Sequence, residues 1–169
     1  GFPKTRRARL QFLRGLCYFL SYTAHFMALA ALSLAEIAAI KYSAPLMITL
    51  LSVVLLRETV GLRRWLALLV GFSGVLLVMQ PGSANFNVGS IFELISVLSY
   101  AFGAMVTRKL QTTESSATQA FYTSLVYLIG TAVIAPVVIL IGDFPDAHPS
   151  VVFLFHAWAI PSVLDWLIM

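Results

Sequence analysis

The sequence predicts an all-α, polytopic membrane protein with about six transmembrane helices. Three observations lead to this prediction: the composition, a series of long apolar runs, and the placement of the basic residues. Hydrophobic residues make up 60% of the 169-residue chain and charged residues only 11%, whereas a soluble domain is roughly 45–50% apolar. A soluble fold of this size leaves about a third of its surface exposed, and so much apolar surface would aggregate in water. We therefore predict that the chain folds in a lipid bilayer.

Six apolar runs follow one another along the chain, separated by short connections. One crossing of a bilayer needs about 20 apolar residues, and the first run, 15–35, contains no Asp, Glu, Lys or Arg. The predicted spans are 15–35, 37–56, 65 to about 80, 89–107, 118–142 and a sixth that begins near 151 and is cut by the end of the sequence. The predicted connections are 32–36, 57–64, 81–88, 108–117 and 143–150. Pro81-Gly82-Ser83-Ala84-Asn85 is the strongest helix breaker and predicts an internal boundary.

A secretory signal peptide is the alternative interpretation of the N-terminus. Four basic residues between Lys4 and Arg9 precede an apolar run that contains Ala28-Leu29-Ala30. The run is longer than the roughly 7–15 residues of a signal core, and further apolar runs of equal strength follow it. We therefore interpret it as a membrane span.

The basic residues occur in every second connection. Ten of the eleven Lys and Arg residues lie around the start of span one, between spans two and three, or after span four: Lys4, Arg6, Arg7, Arg9, Arg14, Arg57, Arg63, Arg64, Arg108 and Lys109. The connections 32–36, 81–88 and 142–150 contain none. Because basic loops favour the cytoplasmic side, we predict a multi-pass protein of the cell (inner or plasma) membrane whose residues before the first helix are cytoplasmic. The net charge of +4 is explained by these loop residues, which suit the cytoplasmic side of a membrane. No nucleic-acid partner is therefore predicted.

Lys41 is the one basic residue within a predicted span. An ionisable group there costs roughly 2.5–3.5 kcal/mol, which points to a functional role. It shares a helical face with Pro45, Ile48 and Ser52, and Pro45 frees a backbone carbonyl where interrupted membrane helices often bind ligands. The alternative is a lysine that extends to the membrane interface beside a purely structural kink.

Span four carries a polar stripe at three- and four-residue spacing. Its members are Glu93, Ser96, Tyr100, Gly103 and Thr107. This spacing places them on one side of a helix, which we expect to face the protein interior. Glu93 is a candidate counter-ion of Lys41, ligand of a substrate ammonium group or proton carrier. The alternative places it among lipid headgroups and makes Tyr100 an ordinary packing residue.

Spans one, three and six add further candidates. Ser21 and His25 share one face of span one, and His25 could bond a substrate, relay a proton, or simply be satisfied by a neighbouring helix. His156 and Asp165 of span six are nine residues apart and so lie on opposite faces of a helix. Asp165 is the deeper of the two and the better functional candidate. Gly71, Ser73 and Gly74 predict a close-packing face on span three.

Enzyme and cofactor motifs are absent from the sequence. It contains no His-Glu-x-x-His, Gly-x-Ser-x-Gly or phosphate-binding loop, and its single cysteine, Cys17, excludes a disulfide within the chain and a multi-cysteine metal site. We predict no enzyme activity, no cofactor and no metal. An intramembrane hydrolase that uses His25 or His156 with Asp165 is the third of three functional hypotheses.

An ordered series of short motifs resembles the EamA-type family of the drug/metabolite transporter superfamily. The motifs are Arg57-Glu58 and Arg63-Arg64-Trp65, Gly71-Phe72-Ser73-Gly74-Val75, Pro81-Gly82, Leu34-Ala35-Glu36, Ser43-Ala44-Pro45-Leu46, Ser99-Tyr100-Ala101 and Thr107-Arg108-Lys109-Leu110. Arg57 stands where the family usually has glycine. The resemblance implies ten helices in two inverted five-helix repeats, of which this chain is a fragment that covers helices three to eight. Residues 1–80 would end the first repeat, 81–88 would join the repeats, and 89–169 would start the second.

The resemblance implies a secondary transporter that moves a small organic metabolite or drug by alternating access. Inverted repeats bind substrate between their halves near the bilayer midplane. The residues expected there are Lys41, Glu93, Tyr100, His25, Asp165, Pro45 and Ser21. A proton is the candidate coupling ion, and the oligomeric state is not predicted. The second hypothesis, ahead of the hydrolase, is a membrane assembly or sensor protein that does not transport.

Overall fold

The computed structural model describes residues 5, 7–56, 61–79, 87–141 and 147–155. Within these ranges the chain forms seven α-helices and no β-strand. The helices are α1 (Ala8–Leu29), α2 (Leu34–Lys41), α3 (Ala44–Leu56), α4 (Leu62–Met79), α5 (Val88–Gln111), α6 (Ser116–Ile141) and α7 (Pro149–Phe155). The predicted all-α fold class is confirmed.

Among the described residues, three segments are long and apolar enough to cross a bilayer. They are Leu34–Leu55, which contains α2 and α3, Val88–Gln111, which is α5, and Ser116–Leu140 in α6. α1 is 22 residues long but more polar, because it contains Arg9, Arg14 and His25. A polytopic membrane protein is therefore confirmed, and the count of six crossings stays a prediction.

α1 is the central helix of the bundle. It packs most extensively against α5, then against α6, and it also meets α7. α3 packs on α5, while α2 lies between α4 and α5. A buried apolar cluster joins α1 to α5 and consists of Ala28, Leu32, Ile37, Ile40, Ala44, Val75 and Val97. The elements that surround this core also carry most of the predicted site residues.

The turn between α1 and α2 lies earlier than predicted. The sequence analysis placed a connection at 32–36, but α2 already begins at Leu34. Ser33 forms a capping box: its hydroxyl accepts from the Glu36 N–H at 3.3 Å, and the Glu36 carboxylate accepts from the Ser33 N–H at 2.8 Å. Glu36 therefore belongs to the first turn of a helix, where its charge also suits the helix dipole.

The second predicted span, 37–56, is broken between α2 and α3. Pro45 has no N–H and cannot donate to the Lys41 carbonyl, which favours an interruption here, and the structure places the break at Tyr42 and Ser43. Ser43 stabilises the break, because its hydroxyl donates to the Ile40 carbonyl at 2.5 Å and its own carbonyl accepts from the Met47 N–H at 3.0 Å. Lys41 is consequently the last residue of a short helix that ends inside a membrane span.

α5 is longer than the predicted span 89–107. The Asn87 side chain caps its start by accepting from the N–H groups of Gly89 at 2.8 Å and Ser90 at 3.3 Å. Its last turn includes Arg108 and Lys109, whose positive charges are favourable at a helix C-terminus. The predicted division of the chain at 81–88 falls largely outside the described residues and stays a prediction.

Candidate functional site

A cavity of about 330 Å³ lies between α1, the broken α2–α3 segment and α5. Small-molecule sites usually measure roughly 300–1,000 Å³. The lining residues are Ser21, Tyr22, His25, Lys41, Tyr42, Ala44, Pro45, Ile48, Ser96, Val97 and Tyr100. The cavity therefore combines an apolar and aromatic wall with a few polar groups, as binding sites for organic molecules do.

Five of the seven predicted site residues line this cavity: Ser21, His25, Lys41, Pro45 and Tyr100. Glu93 does not line it, because it lies behind His25 and is 0% exposed. Asp165 and His156 lie outside the described residues. The structure thus brings together polar residues that the sequence places on three separate spans. That these residues bind a substrate stays a prediction.

A ladder of polar pairs joins α1 to α5 and positions the site. The Ser21 and Ser96 hydroxyls are 3.3 Å apart, and His25 Nδ1 is 2.9 Å from Glu93 Oε2. The pairs form because both helices repeat polar residues every three or four positions on the faces that meet. The predicted polar stripe on span four therefore faces the protein interior at these positions.

His25 stands between the two charged side chains of the site. Lys41 Nζ lies 3.4 Å from Nε2 of the ring, on the side opposite Glu93. The sequence analysis considered a direct contact between Glu93 and Lys41, but the imidazole separates them and touches both. Glu93 Oε1 is buried and has no hydrogen-bond partner among the described residues. The only hydrogen bond of the Glu93 side chain in that part of the chain is therefore with His25.

This geometry assigns the proton on the neutral ring of His25. An ammonium group can only donate, so Nε2, which faces Lys41 Nζ, must be the acceptor nitrogen. Nδ1 then carries the hydrogen and donates it to Glu93 Oε2. The three side chains form one directed chain of hydrogen bonds, from Lys41 through His25 to Glu93.

The break between α2 and α3 determines what surrounds Lys41. Pro45 and Ile48 line the cavity together with Lys41. Ser52, which the sequence analysis placed on the same helical face, is not part of the lining, and its hydroxyl accepts from Arg108 Nη1 at 3.5 Å. Ser52 lies about two helical turns beyond Pro45, and its partner Arg108 belongs to α5.

Sequence reasoning missed part of the aromatic wall. Tyr22 and Tyr42 line the cavity along with the predicted Tyr100, whose ring meets that of Tyr18 at 5.7 Å. Tyr22 directly follows Ser21 and Tyr42 directly follows Lys41. This adjacency to predicted residues is the one feature of the sequence that could have indicated the two tyrosines. Successive residues of a helix point about 100° apart, so adjacency in the sequence does not predict that two residues line the same cavity.

A second polar cluster joins α1, α5 and α6 toward the other end of α1. Arg14 Nε donates to Thr107 Oγ1 at 2.7 Å, and Arg14 Nη1 donates to Thr123 Oγ1 at 2.6 Å and to the Gln119 carbonyl at 3.0 Å. The guanidinium also lies over the ring of Tyr18, 5.1 Å from its centre. These contacts fix three helices to one another and leave the cavity open.

Comparison with known proteins confirms the resemblance for the first part of the chain. The EamA-like transporter family matches residues 2–80. An S-adenosylmethionine uptake transporter of Rickettsia bellii is 29% identical over 123 residues, which are 73% of this chain and 42% of that protein. A riboflavin transporter of Vibrio cholerae is 27% identical over 134 residues, 77% of this chain and 43% of that protein.

A third relative is an uncharacterized transporter of Archaeoglobus fulgidus, 30% identical over 149 residues, which are 81% of this chain and 53% of that protein. The chain thus spans less than half the length of the first two relatives and about half of the third. No solved structure matches the chain.

Proposed function

Because residues 2–80 belong to the EamA-like transporter family, we propose that the full-length protein carries a small organic metabolite across the membrane by alternating access. The cavity between α1, α2–α3 and α5 is its substrate site. One observation carries the proposal: polar residues from three spans converge on one cavity beside an interrupted helix. Interrupted helices with a ligand at the break are the usual architecture of secondary-transporter sites.

The proposed division of the chain into two repeats agrees with the position of this cavity. α1, α2 and α3 belong to the proposed first repeat, residues 1–80, and α5 belongs to the second, 89–169. The lining residues come from both. A site that is shared by two repeats changes shape when one repeat moves against the other, which alternating access requires.

The central test is transport by the purified full-length protein in sealed vesicles. S-adenosylmethionine and riboflavin, the compounds for which two relatives are named, are the first solutes to test. We expect Lys41→Ala to reduce uptake of the accepted solute at least about tenfold, which corresponds to about 1.4 kcal/mol of binding free energy. Lys109→Ala is the matched control, because Lys109 is an exposed lysine of α5 that does not line the cavity.

Two outcomes would contradict the proposal. If Lys41→Ala transports normally, Lys41 is an interfacial lysine and the cavity is not the substrate site. If vesicles that contain only the wild-type protein accumulate no solute from a broad metabolite panel, the alternative of a non-transporting assembly or sensor protein is favoured.

The orientation of the bundle is part of the proposal. Arg7, Arg9 and Lys109 line one surface pocket, so the start of α1 and the end of α5 place basic residues at the same end of the bundle, which we propose is cytoplasmic. Single cysteines in a Cys17→Ala background test this. Cysteines at Ser83 and Asp146 should react with an impermeant reagent from outside the cell, and one at Thr112 only from the cytoplasm. The reverse pattern would overturn the orientation.

A further inference from the structure

We propose that an anionic substrate and a proton bind to this site together: a carboxylate at Lys41 and one proton at Nε2 of His25. The inference rests on the proposed function, since it concerns the same cavity, and it adds the substrate class and the coupling ion. It is carried by the directed contacts from Lys41 through His25 to Glu93.

Without substrate, Lys41 and the proton compete for the same nitrogen. Nε2 of His25 accepts from Lys41 Nζ at 3.4 Å, so its lone pair is occupied. If a proton from water binds Nε2, that nitrogen becomes an N–H donor that points at an ammonium group, which also only donates. The contact between Lys41 and His25 then breaks, and Lys41 Nζ turns toward the cavity.

An anion in the cavity has the complementary effect. Lys41 is exposed to the cavity, whereas the Glu93 carboxylate is buried behind the ring. The charge that an incoming solute meets is therefore positive. A carboxylate that binds Lys41 Nζ removes it from Nε2 and leaves that lone pair free for a proton. Since each ligand removes the obstacle to the other, each must raise the affinity of the site for the other by the same factor.

Glu93 stabilises the protonated ring. Its Oε2 accepts from Nδ1 at 2.9 Å, while its Oε1 is buried without a partner among the described residues. Protonation of Nε2 gives the ring a full positive charge, so this hydrogen bond, which already has an ionised acceptor, becomes an ion pair. The proton adds one positive charge to the site and the carboxylate one negative charge, so the loaded site keeps the net charge of the empty one.

In the part of the chain that the structure describes, few titratable groups surround His25. α5 contributes Glu93 and α2 contributes Lys41, and tyrosines Tyr22, Tyr42 and Tyr100 line the same cavity. α6 and α7 meet the neighbouring residues of α1 through rings, Tyr127 against Tyr22 and Phe153 against Phe26. Of these groups, histidine is the residue type whose charge ordinarily changes between pH 5 and 8.

The test measures binding of benzoate to the full-length protein by calorimetry between about pH 5.5 and 7.5. A carboxylic acid with a pKa of about 4 stays ionised throughout this range. We expect benzoate affinity to rise as the pH falls, by up to about tenfold per pH unit, which is the limit for linkage to one proton. Measurements in two buffers of different ionisation enthalpy should show net proton uptake, approaching one proton per benzoate toward the upper end of the range. Benzamide, which has the same shape without the charge, should show neither effect.

Two variants separate the roles of the residues. His25→Gln keeps groups that can bond to Glu93 and Lys41 but cannot take up the proton, so benzoate should still bind, with no pH dependence and no proton uptake. Lys41→Gln should lose benzoate binding at every pH. Nitrogen-15 NMR of the wild-type ring gives a readout that needs no variant: hydrogen on Nδ1 alone without benzoate, and on both nitrogens with it.

The results that overturn the inference differ from those that overturn the proposed function. If benzoate fails to bind, binds without proton uptake, or binds equally well in Lys41→Gln, the inference is wrong. Transport of a neutral or cationic solute that Lys41→Ala abolishes would then leave the proposed function standing. Conversely, benzoate binding with proton uptake in a protein that moves no solute would support the inference and contradict the transporter.

Discussion

The α1–α5 pair and α4 bury different kinds of side chain. α5 buries Ser90, Glu93 and Ser96 against its neighbours. In α4, Val70 is 73% and Leu77 75% exposed, although both are strongly apolar. α5 thus buries polar side chains while α4 exposes apolar ones, which is the reverse of the usual arrangement in a water-soluble protein.

The contrast between buried polar side chains in α5 and exposed apolar side chains in α4 follows from the forces that associate helices in lipid. Lipid tails are as apolar as leucine, so burial of leucine side chains gains little, and helices associate through close packing and polar contacts. α1 and α5 have polar contacts in the ladder of polar pairs. They also pack closely at Gly103, where an added Cβ would lie 3.3 Å from the ring of Tyr18. α4 has Gly71 close to the Leu46 side chain, whereas Gly74 meets nothing within 4 Å among the described residues. The close-packing face predicted for α4 is thus confirmed at Gly71 and wrong at Gly74.

The strongest test of this comparison removes the polar cluster that joins α1, α5 and α6. Arg14→Met keeps much of the aliphatic stem but removes the donors to Thr107, Thr123 and the Gln119 carbonyl. Hydrogen bonds to charged groups contribute roughly 1.5–3 kcal/mol each, but the threonines would partly find other partners. We therefore expect a loss of about 3 kcal/mol in the free energy of unfolding of the full-length protein, measured by detergent-induced unfolding.

Arg9→Met is the control for Arg14→Met. Arg9 is an exposed arginine of the same helix, near its start, and its replacement should change the free energy of unfolding by less than about 0.5 kcal/mol. Equal losses in the two variants would show that positive charge at this end of α1, rather than the specific contacts of Arg14, stabilises the bundle.

A smaller change in the free energy of unfolding is expected when one methyl group is added to α1 or to α4. In Gly15→Ala the new Cβ would lie 2.7 Å from Val126 Cγ2 and 2.9 Å from Val126 Cβ. A β-branched side chain has little freedom to move away, so α1 and α6 must separate, and overpacking of this kind costs about 1–3 kcal/mol.

Gly74→Ala makes the same change in α4, where space is open. It should leave the free energy of unfolding unchanged or raise it by up to about 1 kcal/mol, because alanine favours the helix. Detergent unfolding of both variants measures the difference directly. A loss at Gly74 as large as at Gly15 would mean that α4 is tightly packed in the full-length protein and that the contrast between the regions does not hold there.

Helical periodicity is a local property, and it allowed the sequence to predict part of the cavity lining. Ser21 and His25 on one helix, and Glu93 and Ser96 on another, fall on single faces by spacing alone. A charge within a span, Lys41, must face the protein interior or the membrane interface. Of these five residues, Ser21, His25, Ser96 and Lys41 line the cavity, and the rules required no knowledge of which helices are neighbours.

The remaining features of the site depend on contacts between helices and on the interruption between α2 and α3. The sequence did not predict these features. The pairing of His25 with both Glu93 and Lys41 requires α1, α2 and α5 to meet, which no local pattern specifies. Tyr42 lies in the turn between α2 and α3 and lines the cavity. Pro45 indicated an interruption, but the direction of α3 after it is decided by packing against α5.

The smallest predicted effect concerns one rung of the ladder between α1 and α5, the 3.3 Å contact of the Ser21 and Ser96 hydroxyls. In membrane proteins such bonds contribute about 0.6 kcal/mol on average, because the unfolded helices also find partners. A double-mutant cycle of Ser21→Ala, Ser96→Ala and the double variant should give a coupling energy near this value in detergent unfolding. A coupling energy near zero would attribute the α1–α5 association to close packing at residues such as Gly103, and the polar ladder would then position His25 and Glu93 for function without stabilising the fold.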